Sequence, residues 1–184
     1  FKKTFIVCGY KRNQLLRNFK KNRKIDFIYN KDYKTTNMVH SLFLVKKKHI
    51  GNNDVVISYS DIIFDESIYK IFERKQSFIT VYKNWYKYWK KRMLVKKIKQ
   101  DAEDLIVYKK KVLSIGKKIK NKFPKYQFMG LTKLAKKDFL KLKNFYYQNK
   151  NKKIDFTSFL NLAIQSNVIN LKYIPTEKFW FEID

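Results

Sequence analysis

Short blocks of β-branched and aromatic residues alternate with polar stretches that carry apolar residues at helical spacing. Such blocks at 5–8, 25–29, 55–59, 78–82 and 170–174 predict strands. Leu15, Leu16 and Phe19 predict a helix over 14–19. Val39, Leu42, Phe43 and Val45 predict another, capped by Thr35, Thr36 or Asn37, and Ile68, Ile71 and Phe72 a third over 67–74. The alternation predicts an α/β fold with a parallel sheet flanked by helices. The run at 55–59 sits between Asn52-Asn53 and a set of acids, and it reads as a central parallel strand. It delivers Asp61 to its carboxyl end, where open α/β sheets bind ligands. The bland alternative for Asp61 is a turn or helix-capping residue.

The second half changes character. Residues 105–108 and 112–115 predict a hairpin around Lys109, Lys110 and Lys111, and 128–134 a strand interrupted by Gly130. Phe139, Leu140, Leu142 and Phe145 predict a helix over 138–147, and Phe159, Leu160 and Ala163 one over 156–164. The segment NWYKYWKKR, 84–92, reads either as a stacking surface or as an aromatic flap over the core. No Gly/Ser-rich linker or internal repeat interrupts the chain, so one domain over 1–184 is expected.

Apolar residues make up 45% of the 184 residues, enough for a packed core, which excludes a disordered chain despite a net charge of +28. That charge raises a nucleic-acid-binding reading. Only five of the 43 basic residues are arginine, and the lysines scatter over every helical face, so solvated surface explains them better. No specific nucleic-acid partner and no membrane are therefore expected; no apolar run approaches the roughly 20 residues of a membrane helix, and the expected setting is a soluble, cytoplasmic one. Cys8 is the lone cysteine and sits in an apolar run, so it reads as a small core residue.

Nine segments occur in an order that resembles a known family: IVCGYK, IDFIYN-x-x-Y-x-T-T-N-x-x-x-S-L, VVISYSDIIF, W-x-x-x-W-x-x-R, DAE, SIGKKI, QFMGL, IDFTSFL and W-x-EID. Together they are similar to the nucleotidyltransferases that activate small phosphate or phosphonate compounds. The phosphocholine and aminoethylphosphonate cytidylyltransferase-like members are the nearest branch, and the sugar-1-phosphate nucleotidyltransferases are kin. The resemblance runs from Phe5 to Asp184.

It implies an α/β, Rossmann-like fold with a mixed, mostly parallel sheet flanked by helices, and transfer of a nucleotidyl group, with CTP favoured as donor, to a small phosphorylated or phosphonate acceptor, with release of pyrophosphate. Asp61 and Asp184 match the two carboxylates that hold Mg²⁺ between the donor's α-phosphate and the acceptor, a hard-oxygen set suited to that ion. Thr36, Asn37 and Ser41 match the loop and helix start near the nucleotide. Lys117, with Lys118 beside it, matches an acceptor-phosphate lysine. Trp85, Trp89 and Arg92 match the aromatic and basic set of the phosphocholine-like branch, where an ammonium would lie over an aromatic face with Asp101 or Glu103 as counter-charge. Asn84 stands where that branch often has an acid and Tyr126 where it often has Gly, which leaves the acceptor open. The family's glycine-rich nucleotide loop would lie on a strand and helix ahead of Phe5. The sequence is thus expected to be a fragment lacking that first strand and loop, ending short of a closing helix, and by itself inactive. A non-catalytic remnant and a basic nucleic-acid-binding module are the competing readings.

Overall fold

Strand β8 (Gln127–Leu134) is the axis of the fold, because all eight of its residues are buried. A strand covered on both faces needs an apolar layer on each side, and two separate clusters supply them. The computed structural model that shows this describes every residue except Lys20, Asn121 and Asp184. In chain order the other elements are β1 (Thr4–Cys8), α1 (Arg12–Phe19), β2 (Ile25–Tyr29), α2 (Met38–Phe43), α3 (Lys47–Ile50), β3 (Val55–Ser58), β4 (Ile62–Phe64) and a 3₁₀ helix (Glu66–Glu73). They continue as β5 (Phe78–Tyr82), α4 (Trp85–Trp89), α5 (Val95–Asp101), β6 (Glu103–Tyr108), β7 (Lys111–Lys118), and, after β8, α6 (Lys136–Asn149), α7 (Phe156–Gln165), β9 (Lys172–Thr176) and β10 (Trp180–Glu182).

Six strands form one sheet in the order β3-β8-β5-β9-β7-β6, while β1 pairs with β2 and β4 with β10 in separate two-stranded ladders. The pairs β1–β2 and β5–β9 are parallel. The strand over 55–59 is not central and parallel: β3 lies at the edge and runs antiparallel to β8, with Val55 opposite Leu134. Its continuous apolar run has a different cause. Val55 and Ile57 pack into one cluster and Val56 into the other, so both faces are covered although one edge is unpaired.

On one face of the sheet, Phe43 of α2, Phe139, Leu142 and Tyr146 of α6, and Phe159 of α7 meet in the larger cluster, with Phe43 and Phe139 ring centroids 5.7 Å apart. On the other, Ile68 and Phe72 of the 3₁₀ helix cover Phe78, Met129, Leu131 and Trp180. The helix expected over 67–74 is thus a 3₁₀ segment, started by the Asp65 side chain, which accepts from the Ser67 amide at 2.8 Å. Cys8 is buried as expected. Among the described residues no helix is long and apolar enough to cross a membrane.

A third cluster contains Trp85, Trp89, Ile98 and Ala102, and it resolves the two readings of the aromatic segment in favour of a core flap. Trp85 is 1% exposed, its indole N–H donates to the Pro124 carbonyl at 3.1 Å, and its ring meets Trp89 and Phe123 edge-on. Trp85→Ala is expected to lower unfolding free energy by about 3–5 kcal/mol in a urea titration, the usual cost of deleting a buried large aromatic.

Candidate active site

The candidate site is built where β3 ends. Tyr59 continues the strand and its amide donates to the Gly130 carbonyl at 3.0 Å. Gly130 has φ +78, and a Cβ there would sit 3.0 Å from the Tyr59 ring. The register slips at this point of the β5–β8 pair, so the interruption legible in the sequence is a bulge that makes room for Tyr59. The Tyr59 ring meets Phe128 and Phe156 edge-on. Burial, followed by the charges of Glu103, Asp155 and Asp61, pushes its phenol well above the usual range. Glu103 and Asp155, which share the Thr157 hydroxyl, and Asp61, two residues along the chain, therefore all bear on one half-buried ring.

Asp61 is exposed in the turn between β3 and β4. Its backbone carbonyl accepts from the Ile183 amide at 2.7 Å, extending the β4–β10 ladder in which Glu182 faces Ile62. The last described residue of the chain is thus tied to Asp61 through the backbone. Asp184, the second carboxylate of the expected metal pair, lies outside the described residues. Among those described, no group of three or more His, Cys, Asp or Glu forms a ready-made metal cage.

A second wall comes from β6, β7 and the start of α7. Glu103 stands opposite Lys118 and Asp104 opposite Lys117. The register shift after Asp104 coincides with Gly116, at φ +80, where a Cβ would lie 2.8 Å from Thr157. Only glycine lets β7 bend this closely over the first turn of α7. Beyond the bend Lys117 and Lys118 emerge exposed. Asp155 caps α7, accepting from the Ser158 amide at 2.8 Å.

The third wall is the loop after β2, where the structure reveals a residue that sequence reading did not single out. Asn30 is 2% exposed. Its side-chain amide donates to Thr36 Oγ1 at 2.9 Å and Ser41 Oγ at 3.0 Å, and its Oδ1 accepts from the Asp32 amide at 3.0 Å. Thr36 in turn donates to the Asp32 carbonyl. One buried amide therefore holds two of the three expected nucleotide-side residues. The third, Asn37, caps α2 and ties the loop to the approach to α7, its amide donating to the Lys152 carbonyl and its side chain to that of Lys153. The repeated Asn, Thr and Ser between 30 and 41 was the available signal, but it does not say which member is buried. Asn30→Ala leaves two hydroxyls and one amide short of a partner, and is expected to cost about 1–3 kcal/mol in thermal or urea unfolding.

The remaining expected residues separate. Trp85 and Trp89, at 1% and 6% exposure, offer no accessible face to an ammonium, which corrects that expectation: large aromatics at helical spacing here build a core. Asp101 ends α5 on the surface. Arg92 is stacked between the Tyr88 and Phe181 rings, 5.3 and 5.0 Å from their centroids, and so lies against β10. Glu103 meets the start of α7 through Thr157, and the Tyr59 ring, two residues before Asp61, meets Phe156 there.

The same fold, an α/β Rossmann-like sheet flanked by helices, is found in solved nucleotidyltransferases. The inositol-1-phosphate CTP transferase from T. maritima matches with a TM-score of 0.71 at 17% identity, over 100% of this chain and 70% of that one. CTP:phosphocholine cytidylyltransferase from Streptococcus pneumoniae matches at 0.70 and 16% identity, over 100% and 73%. A putative glucose-1-phosphate thymidylyltransferase from Bacillus anthracis matches at 0.69 and 14%, over 97% and 69%. No protein-family model and no curated protein matches the sequence.

Proposed function

We propose that this chain belongs to a cytoplasmic nucleotidyltransferase that transfers CMP from CTP to a small phosphate or phosphonate compound, such as phosphocholine or 2-aminoethylphosphonate. The observation that carries the reading is the convergence of separated motifs: the Tyr59 ring of VVISYSD meets Phe156 of IDFTSFL, Glu103 of DAE meets Thr157, and Ile183 of W-x-EID is hydrogen-bonded to Asp61. A sugar 1-phosphate acceptor is the second reading, favoured by the fold it shares with a thymidylyltransferase.

The acceptor's anionic oxygen would attack the α-phosphorus of the donor as the bond to the pyrophosphate oxygen breaks. No covalent intermediate on the chain is needed. Lys117 and Lys118 would attract the acceptor's anionic end, while the Asn30-anchored loop with Thr36, Asn37 and Ser41 would hold the nucleotide. Asp61, exposed and acceptor-only, is a fitting hard-oxygen ligand, and with Asp184 it would hold Mg²⁺. The bound ion would supply neutralisation of the charge that builds up on the phosphoryl oxygens.

The test is pyrophosphate release by the full-length protein with CTP and Mg²⁺, offering phosphocholine, 2-aminoethylphosphonate and a sugar 1-phosphate in turn. Turnover with the first or second supports the reading, turnover with the third alone moves it to the sugar branch, and a folded protein idle with all three under CTP and the other nucleoside triphosphates refutes it.

A further inference from the structure

The hydroxyl of Thr157 lies 2.9 Å from Glu103 Oε1 and 3.0 Å from Asp155 Oδ1. A hydroxyl has one proton to donate, yet both contacts are at hydrogen-bond distance to carboxyl oxygens. The side chain is buried, with Thr157 5% exposed, so water does not separate the groups cheaply. Asp155 is the α7 cap and accepts from the Ser158 amide, a bond that favours its ionised form. The second proton then has to sit on Glu103.

We propose that Glu103 is a neutral carboxylic acid that donates to Thr157, which donates to ionised Asp155, and that this chain clamps the first turn of α7 under the Gly116 bulge and fixes the aim of Lys117. The role of Lys117 in binding the acceptor rests on the function proposed above. Burial raises the Glu103 carboxyl above its ordinary value; the Thr157 hydrogen bond opposes this and the Asp155 charge adds to it, and the net direction agrees with the geometry. Asp155 is held below its ordinary value: burial opposes this, but the Ser158 and Thr157 hydrogen bonds outweigh it. The other groups facing the clamp are the Tyr59 phenol and, across the β6–β7 ladder, exposed Lys118.

Infrared spectra of the full-length protein near neutral pH are expected to show a protonated-carboxyl band that disappears in Glu103→Gln. A wild-type protein without that band overturns the proposal. Unfolding supplies a second readout. A raised folded-state pKa on an acid gives stability that is complete below the unfolded value and is lost as pH rises through the folded one. Wild type should therefore lose stability across that window and Glu103→Gln should lose less; equal slopes overturn the proposal. Neither measurement needs turnover, so both stand apart from the proposed reaction. In an active enzyme, Thr157→Val is expected to raise the acceptor KM about tenfold with a small change in kcat, and Thr157→Ser to restore it. An unchanged acceptor KM in Thr157→Val refutes the aiming of Lys117.

Discussion

Asp61→Asn is expected to lower kcat for pyrophosphate release in the full-length protein by on the order of 10³-fold, equivalent to about 4 kcal/mol of lost transition-state stabilisation. The substitution is nearly isosteric, and Asp61 is exposed in a turn, so stability should move by less than about 0.5 kcal/mol. That separation makes the variant informative. Its backbone carbonyl, which accepts from Ile183, is untouched, so the β4–β10 junction remains as a scaffold while one ligand charge is removed. If Asp61 holds Mg²⁺ as proposed, an amide oxygen would still coordinate it but without net charge, so raising Mg²⁺ should recover part of the rate. Activity within a few-fold of wild type at all Mg²⁺ concentrations would remove Asp61 from the chemistry and leave it a turn residue.

What the sequence made legible follows from what each kind of pattern encodes. Strands β2 and β5 coincide with the blocks at 25–29 and 78–82, because a half-buried or fully buried strand announces itself by apolar content alone. The edge position of β3 was not legible: its apolar run records covered faces, whereas an edge is a matter of backbone hydrogen bonds that no side chain reports. The short β4 and β10 were missed for a related reason. Three residues each are too few for a period, and their ladder joins segments more than a hundred residues apart. In the candidate site, the charged and loop residues were expected from the resemblance alone, and the structure shows which of them touch: Glu103 meets the start of α7 through Thr157, where the Tyr59 ring also packs. Trp85 and Trp89 were misplaced because an aromatic pair at helical spacing looks the same whether it faces a ligand or a core. Asn30 and Thr157 were passed over, since a small polar residue shows its importance only when burial and partners are known. Both serve the site through other residues, Asn30 through Thr36 and Ser41 and Thr157 through the Gly116 bend.

A large effect on stability is also expected from one lysine that departs from the solvated pattern of the rest. Lys133, one residue from the end of the buried β8, has a side chain only 2% exposed, and its ammonium lies 2.6 Å from Asp54 Oδ2. The other oxygen of Asp54 accepts from the Lys136 amide at 2.9 Å, so the same carboxylate also anchors the first turn of α6. Asp54→Ala leaves a buried cation unpaired and is expected to cost about 3–5 kcal/mol, towards the lower figure because Asp54 itself is 45% exposed and water can enter. Lys133→Met should cost less, since an apolar chain of similar length leaves no buried charge behind. The double variant should be more stable than Asp54→Ala alone, a sign that only a charge-pairing role produces. Acid provides an independent check. Burial tends to raise the Asp54 carboxyl, but the Lys133 and Lys136 hydrogen bonds and the Lys133 charge hold it below its ordinary value. A depressed folded-state pKa gives stability that is complete above the unfolded carboxylate pKa and is lost as pH falls through the folded one. Urea unfolding should therefore show wild type losing stability below the ordinary carboxylate range more steeply than Asp54→Ala. Parallel acid profiles would mean that the pair, although close, contributes nothing to the stability of the sheet.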